Sequence, residues 1–154
     1  MVRQPCYRPS VRLYARHESD PPRWAATARA LRPTAESKEQ AWQRAFFDDA
    51  VPNAVHEALL QGFWHPAQTE LTAGYVDRYF ADIRPLWDRR PGEIAKNAVQ
   101  YLFPPVVESR TIAAADAWLA DPDHPAPLRR LVAEGRDGIA RALRARERDG
   151  QDNP

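Results

Sequence analysis

The four histidines are the first residues to consider for metal chemistry. They stand at His17, His56, His65 and His124. A zinc peptidase of the H-E-x-x-H type needs two histidines four residues apart on one helix, so that both imidazoles reach the metal. No two histidines have this spacing, and where His56 and Glu57 look like half of the motif, Leu60 occupies the second ligand position. We therefore predict that His56 and Glu57 are ordinary helix residues and that the chain holds no metal.

Other catalytic chemistries also lack a recognisable arrangement of residues. None of the serines lies in a G-x-S-x-G elbow, and Cys6 lies in a segment without periodicity. The carboxylate clusters at residues 48–49 and 121–123 are expected to cap helix ends or to be solvated. The six glycines form no phosphate-binding loop. We predict no catalytic, cofactor-binding or metal-binding residue, and no enzymatic activity for this chain on its own.

The charge balance argues against polyanionic partners. The 154 residues include 22 basic and 21 acidic side chains, giving a net charge of +1, so no overall field attracts nucleic acid or an anionic membrane. No apolar run approaches the roughly 18 residues of a membrane span, and residues 1–22 lack the apolar stretch of a signal peptide. A single cysteine favours a reducing compartment, and we expect a cytoplasmic protein. The sequence leaves the oligomeric state open.

The last predicted helix is the most basic part of the chain. Its arginines outnumber its acids, and such a helix can contact a phosphate backbone. However, Arg130 and Glu134, like Asp137 and Arg141, stand four residues apart and can pair on the helix surface. We therefore interpret this helix as a solvated, internally paired face rather than a nucleic-acid site.

The elements that would position any site are helices. Prolines separate segments in which apolar residues recur at intervals of three and four, and no alternating stretch indicates a strand. The pattern predicts an all-α fold of about six or seven helices, with one of them bending past Pro85. Thr34, Asn53, Thr69 and Ser109 are placed to cap helix starts. Short connections favour antiparallel hairpins stacked as a bundle or as a HEAT- or armadillo-like solenoid.

We predict three regions along the chain. Residues 1–22 have no periodicity and four prolines, so they are expected to form a loose N-terminal arm. The helical domain covers residues 23–149, and residues 150–154 are expected to fray. Within the last helix, Gly135 and Gly138 are expected where a neighbour packs closely.

Several short motifs follow one another in order along residues 23–149. They are ALRPTAESK at 30–38, GFWHPAQ at 62–68, YVDRYF at 75–80, LFP at 102–104, DAWL at 116–119, and LRR at 128–130 leading into EGRDGIARALRAR at 134–146. Through these motifs, residues 23–149 resemble the C-terminal helical domain of bacterial aminopeptidase N, a domain shared with the endoplasmic-reticulum aminopeptidases of the gluzincin metalloaminopeptidase family. Residues 1–22 match nothing that we recognise in the family. A truncated gene, a misassigned start or a standalone copy would each produce such a beginning.

The resemblance implies a repeat-like helical domain that packs over a catalytic domain and closes a chamber around a peptide. In the family, zinc is held by H-E-x-x-H and a distal glutamate, and a G-x-M-E-N segment binds the substrate's amino terminus. This chain has neither motif, since its only methionine is Met1. The implied function is that of a noncatalytic accessory domain of a zinc aminopeptidase, with a peptide substrate or a catalytic domain as partner. The alternative is an independent helical module that binds a protein or peptide.

The family motifs also have structural interpretations. We expect Tyr75, Tyr79 and Phe80 in the core, and we expect residues 62–66 to end one helix and begin the next. Phe63, Trp64 and Gln68 either face a substrate chamber or belong to a capped, buried turn. Both interpretations remain open from the sequence.

Overall fold

The computed structural model describes residues 21–90 and 92–152, and this part of the chain is all-α, as predicted. It contains eight α-helices and no strand, where the sequence pattern predicts six or seven helices. The helices are α1 (Pro21–Leu31), α2 (Ala35–Phe47), α3 (Asn53–Phe63), α4 (Thr69–Thr72), α5 (Tyr75–Arg89), α6 (Gly92–Tyr101), α7 (Ser109–Leu119) and α8 (Ala126–Asp152). A 3₁₀ turn at Pro66–Gln68 precedes α4.

The two helices that the pattern does not predict are α1 and α4. Helix α1 buries only the alanines Ala26 and Ala30, while Trp24 and Leu31 are exposed, so it has no stripe of large apolar residues. Helix α4 has four residues, too few to show a period of 3.6. Both helices therefore lack the signal on which the prediction depends.

The described helices can be compared with the three regions predicted along the chain. Most of the predicted loose arm, residues 1–20, lies outside the described residues, and Pro21 and Pro22 form the first turn of α1. Helix α8 continues to Asp152, past the predicted domain end at residue 149. Residues 153 and 154 lie outside the described residues.

Helix starts follow the predicted caps to within a residue. Thr34 is the N-cap of α2, and its hydroxyl accepts a hydrogen bond from the Ser37 amide at 3.2 Å. The predicted caps at residues 53, 69 and 109 are instead the first residues of α3, α4 and α7. Pro52 and Glu108 hold the cap positions of α3 and α7 without a side-chain capping bond. Helix α5 continues through Pro85 to Arg89, so the predicted continuation past that proline is confirmed.

The helices contact one another as two rows. In one row α1 contacts α3, α3 contacts α6 and α6 contacts α8; in the other α2 contacts α5 and α5 contacts α7. Contacts between α1 and α2, α2 and α3, α5 and α6, and α7 and α8 join the rows. These are the neighbours expected of stacked hairpins, while the choice between a bundle and a curved solenoid stays a prediction.

An aromatic cluster at the centre joins α2, α3 and α5. Trp42 is fully buried, stacks on Phe46 with ring centroids 4.2 Å apart, and meets Phe63 and Tyr75 at 5.2 and 5.0 Å. Tyr79 is also fully buried and donates its hydroxyl to the Val99 carbonyl at 2.8 Å. Each aromatic pair adds roughly 0.5–1.5 kcal/mol beyond area burial. The prediction that Tyr75 and Tyr79 belong to the core is confirmed, and Phe80 is half-buried against that core.

Glycine allows two close approaches between elements. A Cβ atom on Gly62 of α3 would lie 2.7 Å from the Thr27 carbonyl oxygen of α1, and one on Gly135 of α8 would lie 2.5 Å from the Phe103 ring. The predicted close packing at Gly135 is therefore confirmed, although its neighbour belongs to the segment after α6. It is wrong for Gly138, where a Cβ would meet only the Arg141 guanidinium at 4.0 Å.

Candidate functional site

The described histidines make structural contacts within the fold. His56 is buried, and its Nε2 lies 2.9 Å from the Ala45 carbonyl oxygen, which requires a proton on Nε2. Burial lowers the pKa of His56 from its ordinary value. His124 stacks on Trp118 with ring centroids 3.7 Å apart. No group of three or more potential metal ligands occurs in residues 21–90 and 92–152; His17 lies outside them.

The half-motif after His56 has a structural explanation. Glu57 accepts a hydrogen bond from Gln61 on the helix surface at 3.1 Å, and Leu60 is buried in the core. These are the ordinary helix positions that the sequence predicts. Leu60 supplies packing where a peptidase would supply a ligand.

The carboxylate clusters occupy turns, as predicted. The Asp48 carboxylate accepts from the Ala50 amide at 3.0 Å, and that of Asp121 accepts from the Asp123 amide at 2.9 Å. Asp49 pairs with Arg89 at 3.0 Å. Cys6, Ser10 and Ser19, to which the sequence assigns no role as nucleophiles, lie outside the described residues. Ser37 donates its amide to the Thr34 cap, and Ser109 begins α7.

Lys38 is the most deeply buried charged side chain among the described residues, and sequence reasoning missed its role. Its ammonium donates to the Ala30 carbonyl at 2.7 Å and to the Phe63 carbonyl at 2.5 Å. These carbonyls lie at the C-terminal ends of α1 and α3, where a positive charge offsets the helix dipole. The shared ammonium also means that the C-terminal ends of α1 and α3 lie side by side. Burial lowers the pKa of Lys38 to about 8, so the ammonium form predominates at neutral pH.

A charged cluster covers one side of the aromatic core. Arg78 forms an ion pair with Glu39 at 2.5 Å, and its guanidinium lies 5.5 Å from the Trp42 ring centre. Hydrogen bonds from the Arg78 side chain are the main cause that lowers the pKa of Glu39 to about 2. The Trp42 indole N–H donates to Asp82 at 2.8 Å. The cluster joins α2 to α5.

The turn after α3 holds the three residues that the sequence places either in a buried turn or on a chamber. Phe63 is buried in the core, whereas Trp64 and Gln68 are half-buried. The Gln68 amide nitrogen donates to the Leu31 carbonyl at 2.9 Å and so ties this turn to the end of α1. A buried turn explains the burial of Phe63 and the hydrogen bond of the Gln68 amide nitrogen. It does not account for the Trp64 indole N–H or the Gln68 amide oxygen, which are buried without a partner.

In the part of the chain that the structure describes, the ion pairs of helix α8 all involve its first half. Arg130 pairs with Glu134 at 2.9 Å, as predicted, and Arg136 binds both oxygens of Asp116 at 2.9 and 3.1 Å. The predicted pair of Asp137 with Arg141 is wrong, because Asp137 lies 3.3 Å from Arg136 instead. Within the described chain, no ion pair is formed by the arginines of the second half, at positions 141, 144, 146 and 148.

The motifs quoted for the family are therefore made of packing and anchoring residues. Ala30 and Lys38 join helix ends, Gly62 allows α1 to approach, and Asp116 holds α8. None of the helices in the described ranges is long and apolar enough to cross a bilayer. Fold and contacts together define a helical domain whose polar residues position helices.

Comparison with known proteins identifies the domain. Residues 11–141 match the family model of the ERAP1-like C-terminal domain. Aminopeptidase N of Streptomyces lividans is 47% identical over 128 residues, which cover 82% of this chain and 15% of that relative. The chain therefore belongs to the family of C-terminal domains of aminopeptidase N, and it spans about one seventh of this relative. The match is to the C-terminal domain and not to a catalytic one. It begins at residue 11, so the family resemblance extends into the segment that we expected to lie outside it.

Proposed function

We propose that this chain acts as a noncatalytic accessory domain of a zinc metalloaminopeptidase and shapes the access of peptides to a catalytic domain. The observation that carries the proposal is the family match, which covers most of this chain but only 15% of the relative. The contacts agree with such a role, because the family motifs hold helices in place and present no catalytic group. The cytoplasm remains the predicted location.

Part of the surface suits contact with another domain. Phe47 at the end of α2 and Tyr101 at the end of α6 are 48% and 45% exposed. Single exposed aromatic residues are common on monomers, but aromatic residues are also enriched in interfaces. We therefore expect these two helix ends to contribute to docking.

The first test is whether the isolated chain has activity. Purified protein should contain no stoichiometric zinc and should not hydrolyse an aminoacyl-naphthylamide. Bound zinc together with turnover would contradict the proposal.

The second test supplies the missing partner. A Streptomyces lividans aminopeptidase N fragment without its matched C-terminal region should regain peptidase activity, or should co-elute with this chain, when the two are mixed. Phe47→Ser and Tyr101→Ser should weaken the association, whereas Glu36→Ser, an exposed control at the other end of α2, should not. No association, together with capture of a different stable partner, would favour the independent helical module instead.

A further inference from the structure

We draw no further inference here: the strongest candidate, the groove between α6 and the first half of α8 with Trp87 and Leu131 in its walls, carries nothing, because the charges on its rim pair within their own helices and nothing in the structure shows what covers it.

Discussion

The ammonium of Lys38 donates a hydrogen bond of 2.7 Å to the carbonyl of Ala30 and so caps the C-terminal end of α1. The same ammonium caps the C-terminal end of α3 by donating to the carbonyl of Phe63. Lys38→Met keeps the length of the side chain but leaves both carbonyls without this donor. We expect the free energy of unfolding to fall by about 2–4 kcal/mol, since hydrogen bonds to charged groups contribute about 1.5–3 kcal/mol each and are not additive. Urea denaturation measures the change.

Lys96→Met is the matched control for Lys38→Met. Lys96 lies on α6, is about half exposed, and is 3.7 Å from Glu93. An exposed pair of this kind contributes less than about 1 kcal/mol, so this variant should unfold at nearly the wild-type urea concentration. Similar losses in both variants would show that the two helix ends do not depend on the buried ammonium.

Gly62→Ala tests the close approach of α1 and α3. The added methyl group would lie 2.7 Å from the Thr27 carbonyl oxygen and 3.0 Å from the Ala30 Cβ. Backbone must therefore shift, and overpacking of this kind costs about 1–3 kcal/mol. Thermal unfolding should show a lower Tm despite the better helix propensity of alanine.

Gly138→Ala makes the same change where the helix has space. Its Cβ would have only the end of Arg141 within reach, at 4.0 Å. Alanine is favoured over glycine in a helix interior by about 1 kcal/mol, so this variant should raise Tm. A rise in Tm for Gly62→Ala as well would mean that α1 does not approach as closely as described.

The glycines Gly62, Gly135 and Gly138 also show how much of the fold the sequence predicts. Spacing identifies the helices that bury large residues, because a stripe of tyrosines or leucines is a local signal. It cannot identify α1, which buries alanines, nor can it distinguish Gly62 and Gly135 from Gly138. What distinguishes these glycines is a neighbour that is distant in sequence, and such a neighbour leaves no mark on the local pattern.

The candidate site is predicted from the sequence only in part. Histidine spacing is enough to predict that His56 and Glu57 are helix residues, and their contacts agree. The role of Lys38 is hidden, because a lysine between Ser37 and Glu39 looks like a solvated residue and only the meeting of two helix ends explains its burial. The unpartnered Trp64 indole is hidden for the same reason, since hydrogen bonding depends on which elements meet at the turn.

The ion pair of Glu39 with Arg78 should support the fold only above strongly acidic pH. The pKa of Glu39 is lowered to about 2, below its unfolded value, so the stabilisation is present above about pH 4.5 and is lost as the pH falls toward 2. The Glu39 side chain is 45% exposed, which limits the contribution to about 1 kcal/mol. Glu39→Gln should lower stability at pH 6 and converge with wild type near pH 2. Glu93→Gln, which alters a more exposed pair, should have little effect at either pH, and parallel profiles for Glu39→Gln and wild type would contradict the assignment.

His56 should make stability fall at mildly acidic pH, in a range separate from that of Glu39. Burial is the main cause of its lowered pKa, with a further contribution from the charge of Arg90. Because the folded pKa lies below the unfolded value of about 6.5, protonation favours the unfolded chain. The stabilisation is complete above about pH 6.5 and is lost as the pH falls toward the folded pKa, by up to about 1.4 kcal/mol per pH unit for one proton. Urea denaturation at a series of pH values should show this slope in the wild type. His56→Gln, which keeps a donor for the Ala45 carbonyl but cannot titrate, should lack the slope between pH 7 and 5. If the variant keeps the same slope, the titrating group is not His56.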